Sequence, residues 1–235
     1  MIDHYDWSGG REAMLRFGPA TGPVAVVALP LFEEANRTRA FAVTICRALA
    51  KRGVASVLPD LPGQGESVVP LADMTLLRMR EAMEGVEAKV GTVGRPYAVG
   101  IRSGALLNPL GLFFGRWHFA PQEGEDVMRD LLRIALAGNA IPSGSSIYAL
   151  IGSNNPVVIA GNPISSAMAA DLQGAMLYDE PGVPLRTVRL DTDPKPADRH
   201  VPGTPLWRRA EPDNDRILAA LLAEDIADWI ATCEG

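Results

Sequence analysis

The segment Gly100-Ile101-Arg102-Ser103-Gly104 has the outline of a G-x-S-x-G turn, which thrusts its middle residue forward as a nucleophile. The outer glycines are required because a strand-to-helix turn this sharp leaves no room for a side chain on either flank. Here the middle residue is Arg102, and a guanidinium stays protonated and offers no nucleophilic lone pair. In this register an acyl-enzyme route is closed. Ser103 becomes a nucleophile only if the turn shifts by one residue, and Ile101 and Ala105 then occupy positions that call for small residues. In the unshifted turn, Ser103 is expected to cap the helix that follows.

A hydroxyl nucleophile also needs a base, and the chain has three histidines. His4 precedes every other element and is expected at the surface. His118 lies inside an apolar strand and is expected to be a satisfied core residue. His200 follows Asp179, Asp191 and Asp193, the chain order of a Ser–Asp–His set. A serine hydrolase built from Ser103, His200 and Asp179 or Asp191 is therefore the alternative reading. Against it, nine positions separate Asp191 from His200 and two of the intervening residues are prolines, which leaves no room for a helix and strand. If Leu206 to Ala210 is the last strand, the place of a base histidine falls near Glu211 or Asp213. These residues suggest that Arg102 and Glu211 replace the Ser–His pair by a buried or half-buried ion pair. Glu33 and Glu34, in the loop after the first apolar strand, are further partners. Deleting one member of such a pair costs about 3–5 kcal/mol, because the other charge is stranded. The competing view leaves Arg102 exposed and free to hold an anion.

Several elements must position these groups. Pro23 to Leu29 is wholly apolar between Gly22 and Pro30, as expected of a strand buried on both faces. A helical pattern follows from Asn36, with Phe41, Ile45, Ala48 and Leu49 on one face and Gly53 as its stop. Val54 to Leu58 predicts a second strand. Leu76, Met79, Met83, Val86 and Val90 predict a second helix with methionines as core filler. Tyr97 to Ile101 and Trp117 to Phe119 predict two more strands, and Leu185 to Leu190 a late one. The alternation predicts an α/β fold with a mostly parallel sheet and helices on both faces. Residues 123–175 read as a small cap or insertion within a single unit of 1–235. Pro194 to Pro205 predicts irregular chain, and a last helix carries Leu218, Leu221, Leu222, Ile226, Trp229 and Ile230.

Asp60-Leu61-Pro62-Gly63-Gln64-Gly65-Glu66-Ser67, just after the second strand, adds a D-x-x-G-x-G-x-S loop. With the Gly100–Gly104 turn in the right order, it points to an α/β-hydrolase-like architecture. The same residues resemble the exosortase-A-system-associated hydrolase family, in its second subgroup. Pro30 to Asn36 is similar to that family's P-x-F-E-E-x-N segment, Asp60 to Ser67 to its loop, and Gly100 to Leu107 to its elbow, which also carries arginine at the tip. Looser matches follow at Phe119-Ala120-Pro121, at Arg129 to Arg133, and at Pro205-Leu206-Trp207 with Glu211-Pro212. The resemblance implies a bacterial cytoplasmic protein of exopolysaccharide or cell-envelope biology. A hydrolase label of this kind rests on fold, which does not confer function. Against the family, the chain is expected to have little room for an N-terminal hairpin.

Composition narrows the partners. With 22 basic and 28 acidic residues in 235, the net charge of −6 argues against nucleic acid or an anionic membrane. No apolar run is long enough to span a bilayer, and the polar start Met1 to Asp6 does not read as a signal peptide. A cytoplasmic location follows as an expectation. Cys46 and Cys233 are isolated and read as reduced thiols. The Gly/Ser runs near 144 and 152 lack the GK[ST] of a phosphate cradle, and Asp191-Thr192-Asp193 lacks calcium-loop spacing. Neither a cofactor nor a metal is expected. Arg186, Arg189, Arg199, Arg208 and Arg209 read as scattered surface charge. The favoured function is a non-catalytic or atypical protein that binds a small anionic ligand or a protein partner, with a scaffolding role as a third reading.

Overall fold

The computed structural model describes residues 1–108, 113–209 and 211–235. A hairpin of β1 (Ile2–Trp7) and β2 (Gly10–Phe17) opens the chain. It is followed by β3 (Val24–Ala28), α1 (Glu33–Lys51), β4 (Ala55–Pro59), α2 (Leu76–Gly91), β5 (Pro96–Ile101) and β6 (Arg116–Phe119). Next come α3 (Gly124–Ala137), the short α4 (Tyr148–Ile151), a small hairpin of β7 (Val157–Ile159) and β8 (Asn162–Ile164), and α5 (Ser166–Gln173). β9 (Leu185–Leu190), β10 (Arg199–Val201) and α6 (Arg216–Glu234) close the chain.

Eight strands form one sheet in the order β1-β2-β4-β3-β5-β6-β9-β10. The first two pairings are antiparallel, and every pairing from β4 to β10 is parallel. The apolar run of β3 is explained by its two faces. Val24, Val26 and Ala28 enter the core built with α2, α3 and α5. Ala25 and Val27 enter the second core, built with α1 and α6. Segment 123–175 shares the first core, through Val127, Leu131, Ile159, Met168 and Leu172.

Four expectations are corrected. The N-terminal hairpin exists: Tyr5, Trp7 and Met14 face the first core while His4 and Asp6 are exposed, so an acidic opening is compatible with a buried strand. α1 starts at Glu33 and not at Asn36, because Phe32 adopts a φ of 61° that turns the chain abruptly into the helix without a side-chain cap. The proline-rich stretch holds β10, whose three residues pair with Val188 to Leu190. Leu206 to Arg208 is a 3₁₀ turn and no strand, and Ala210 lies outside the described residues. No helix among the described residues is long and apolar enough to cross a membrane.

Candidate functional site: the elbow cleft

Three central strands end in backbone that L-residues avoid. Phe32, after β3, has φ 61°; Arg102, after β5, has φ 54°; Ala120, after β6, has φ 45°. Each such conformation costs of order 1–3 kcal/mol and persists only where the surroundings over-determine it. All three sit at the carboxyl ends of parallel strands, where open α/β sheets form their binding crevice.

The elbow glycines answer to local geometry. A Cβ on Gly100 would lie 2.6 Å from Ala105 Cα, and one on Gly104 would stand on the Ala28 carbonyl oxygen and 2.5 Å from that of Leu29. The turn is thus packed directly on β3. It continues as a six-residue 3₁₀ helix, Arg102–Leu107, with no side-chain cap. Ser103 therefore does not cap. Its buried Oγ accepts a hydrogen bond from the Leu31 amide at 2.9 Å. In G-x-S-x-G enzymes an amide of that loop completes the oxyanion hole, together with the amide after the nucleophile. Here one amide of the loop after β3, that of Leu31, is spent on the serine hydroxyl.

Arg102 is not free. Its Nε and Nη2 each donate to the Glu34 carboxylate at 3.2 Å, a two-pronged pair between the elbow tip and the first turn of α1. Nη1 donates to the Ala120 carbonyl at 3.4 Å, and Asp130 of α3 lies 3.9 Å from Nη2. The guanidinium carbon stands 4.4 Å from the Trp207 ring centre, a cation–π contact. The Arg102 and Glu34 side chains are only 12% and 18% exposed. Burial raises the Glu34 pKa above its ordinary value, and the charge and hydrogen bonds of Arg102 pull it back only in part.

The structure thus brings Glu34 to Arg102 and leaves the other proposed partners elsewhere. Glu33 pairs with Arg37 at 3.5 Å. Glu211 is exposed and outside the cleft, since the strand that was to deliver it does not form. His200 is exposed on edge strand β10, with its ring nitrogen 3.2 Å from the Lys195 carbonyl. Asp179 and Asp191 are also exposed, and neither they nor His200 lines the cleft that Ser103 borders. His118 is buried beside Asn108, at 3.2 Å. Asp60 accepts from Arg39 at 2.6 Å, and the Ser67 hydroxyl donates to Glu12, so the glycine loop is braced into the fold.

The cleft has a volume of about 770 Å³. Apolar Leu31, Phe32, Val127, Leu131 and Ile134 line it together with Arg102, Glu34, Asp130, Trp207 and Arg208. A smaller recess of about 290 Å³ opens on the far side of Arg102, towards Arg189 and Lys195. Asp130 accepts from Gln122 and Arg133, which ties α3 to the end of β6. The sequence reading missed Asp130, Gln122, Trp207 and Arg208 as site residues. Two of its motif matches, Arg129–Arg133 and Pro205–Trp207, contain Asp130 and Trp207, and a third runs up to the residue before Gln122.

Of the five arginines read as scattered surface charge, Arg208 is exposed, while the other four are held in ion pairs. Arg186 and Arg199 both bond the buried Asp225, which also accepts from Trp117 Nε1 at 2.8 Å. Arg189 pairs with Asp193, and Arg209 with Asp213.

No protein-family model matches the chain, and no curated protein matches it in sequence. Solved structures do. Est1E of Butyrivibrio proteoclasticus, solved with ferulic acid bound, is 15% identical with a TM-score of 0.64 over 98% of each chain. The epoxide hydrolase VrEH1 of Vigna radiata is also 15% identical, with a TM-score of 0.62 over 98% of each chain. Alpha/beta hydrolase domain-containing protein 10 from mouse is 17% identical, with a TM-score of 0.61 over 99% of each chain. At these identities the likeness is one of fold. With its mostly parallel eight-stranded sheet between two helical layers, the chain has the α/β-hydrolase fold.

Proposed function

We propose that this is a non-hydrolytic protein of the α/β-hydrolase fold that binds a small anionic ligand in the cleft beside Arg102, with segment 123–175 as its cap. One observation carries the reading. The elbow tip holds a guanidinium committed to Glu34, and the adjacent hydroxyl is turned into the Leu31 amide. Neither group is poised to attack a carbonyl. Support for a ligand comes from strained Phe32 and Arg102 on an open cleft that α3 helps to line, with strained Ala120 on the recess beside it. The resemblance at 30–36, 60–67 and 100–107 supports a setting in bacterial exopolysaccharide or cell-envelope biology, within the cytoplasm.

The test has two arms. A panel of esters and thioesters is expected to show no turnover above background with the wild type or with Ser103→Ala. Turnover that disappears in Ser103→Ala would overturn the reading in favour of a serine hydrolase. In the second arm, carboxylates and phosphates are screened by thermal shift. A ligand at a hundred times its Kd adds about 2.7 kcal/mol, which is about 5–10 °C for a chain this long. No shift with any anion refutes the binding role.

A further inference from the structure

Among the described residues, every cation lining the cleft or the recess behind Arg102 is committed to a carboxylate, except one. Arg37 pairs with Glu33, Arg102 with Glu34, and Arg133 with Asp130. In the recess, Arg129 and Lys195 share Asp126, and Arg189 takes Asp193. Arg208 borders both spaces, is exposed, and has no ion pair among the described residues. Its backbone is nonetheless fixed. Trp207 beside it is buried under the Arg102 guanidinium, and the Trp207 carbonyl accepts from Arg37 at 2.9 Å.

We infer that Arg208 is the anion-recognising residue of the cleft, and that the ligand is an amphipathic monocarboxylate whose apolar body lies along Phe32, Val127, Leu131 and Ile134. The inference rests on the binding role proposed above and names the ligand's chemistry. One uncommitted guanidinium offers a forked match to one carboxylate. A dianion such as phosphate would keep an uncompensated charge beside Glu33 and Asp130, which share the same cleft. The cleft is also lined by apolar side chains from α3 and the loop after β3, which a wholly polar ion would leave uncovered. A volume of about 770 Å³ is within the range of ordinary small-molecule sites. Arg102 holds the site's shape and is not the ligand's partner.

Isothermal titration with butanoate, hexanoate, octanoate, octan-1-ol and inorganic phosphate tests the assignment. Affinity is expected to rise at least about twofold for each added methylene, part of the gain from burying a CH₂ fully. Arg208→Gln should weaken octanoate roughly tenfold or more, the scale of a lost charge-assisted hydrogen bond, and leave octan-1-ol unchanged. Arg208→Lys should recover part of the loss. Phosphate should bind more weakly than octanoate. If short and long carboxylates bind alike, or if Arg208→Gln binds octanoate as well as the wild type, this inference falls while anion binding stands. If no anion binds at all, the binding role falls with it.

Discussion

Replacing Arg102 by alanine offers the sharpest test of the elbow, because three separate contributions can be told apart. The first is the stranded charge. Arg102 and Glu34 are 12% and 18% exposed and joined by two hydrogen bonds of 3.2 Å, so the loss belongs at the lower end of the buried-pair range, about 3 kcal/mol. The second is the stacking over Trp207 at 4.4 Å, which adds about 1 kcal/mol. The third is the backbone, held at φ 54°, which alanine tolerates poorly and glycine well. Arg102→Gly should therefore be about 1 kcal/mol more stable than Arg102→Ala. Urea unfolding near neutral pH is the assay, with Tm falling about 2–4 °C per kcal/mol for a chain of this length. Two controls fix the cause. Adding Glu34→Gln to Arg102→Ala should restore about 2 kcal/mol, since no charge is then stranded. Acid should narrow the gap as well. Burial already raises the Glu34 pKa, and without Arg102 it rises further. The stranded carboxyl takes up a proton on acidification, so the deficit shrinks as pH falls and returns as pH climbs through that raised value. A loss under about 1 kcal/mol, with no rescue by Glu34→Gln, would refute the buried-pair argument.

Two further perturbations bear on the same architecture. Gly104→Ala should cost more than about 3 kcal/mol or abolish folding, because the new Cβ meets two backbone carbonyl oxygens of β3 and its loop; near-native stability by urea unfolding would show that the turn can move off the strand. Burial, seconded by the Arg116 charge, lowers the His118 pKa from 6.5 to about 4, so the folded chain holds it neutral and its contribution of about 3 kcal/mol is complete above pH 6.5 and lost as pH falls towards 4. Urea midpoints across that window should flatten in His118→Gln, and an unchanged slope would assign the acid sensitivity to other groups.

What could be read from the sequence follows from where each signal is stored. β3, β4 and β5 are buried on both faces, so their apolar runs identify them without any partner in view. α2 shows its 3.6-residue spacing because one face alone meets the sheet, and Met79, Met83 and Val86 fall on it. The opening hairpin carried a weaker sign. Tyr5 and Trp7 alternate with polar residues up to Ser8-Gly9-Gly10, after which Glu12 and Met14 face inward. The elbow was legible in its glycines, since the close approach of turn to strand is a local demand. The partner of Arg102 was not. Glu33, Glu34 and Glu211 are equivalent in type, and the choice depends on Phe32 turning the chain so that α1 begins with Glu34 against the elbow. Trp207 and Arg208 reach the cleft through a three-residue 3₁₀ turn, which has no periodicity to detect.

The pair of Glu34 and Arg102 also explains how a charged elbow is compatible with this fold. The first turn of α1 supplies unsatisfied amides and the positive end of a helix dipole, a favourable place for a carboxylate. Glu33 and Glu34 both occupy it. The turn after β5 projects its tip towards that same helix end, where the Arg102 guanidinium meets the Glu34 carboxylate. With arginine at the tip, the carboxylate is what neutralises it, and Trp207 and Asp130 close the remaining sides. A purely structural solution would need no such arrangement, because replacing a buried ion pair by well-packed apolar residues of similar volume is often neutral or stabilising by about 1–4 kcal/mol. The strain at Phe32, Arg102 and Ala120 points the same way. These residues border the cleft and its recess, where among the described residues every lining cation but Arg208 is in an ion pair, and that leftover charge is what a ligand, not the fold, would use.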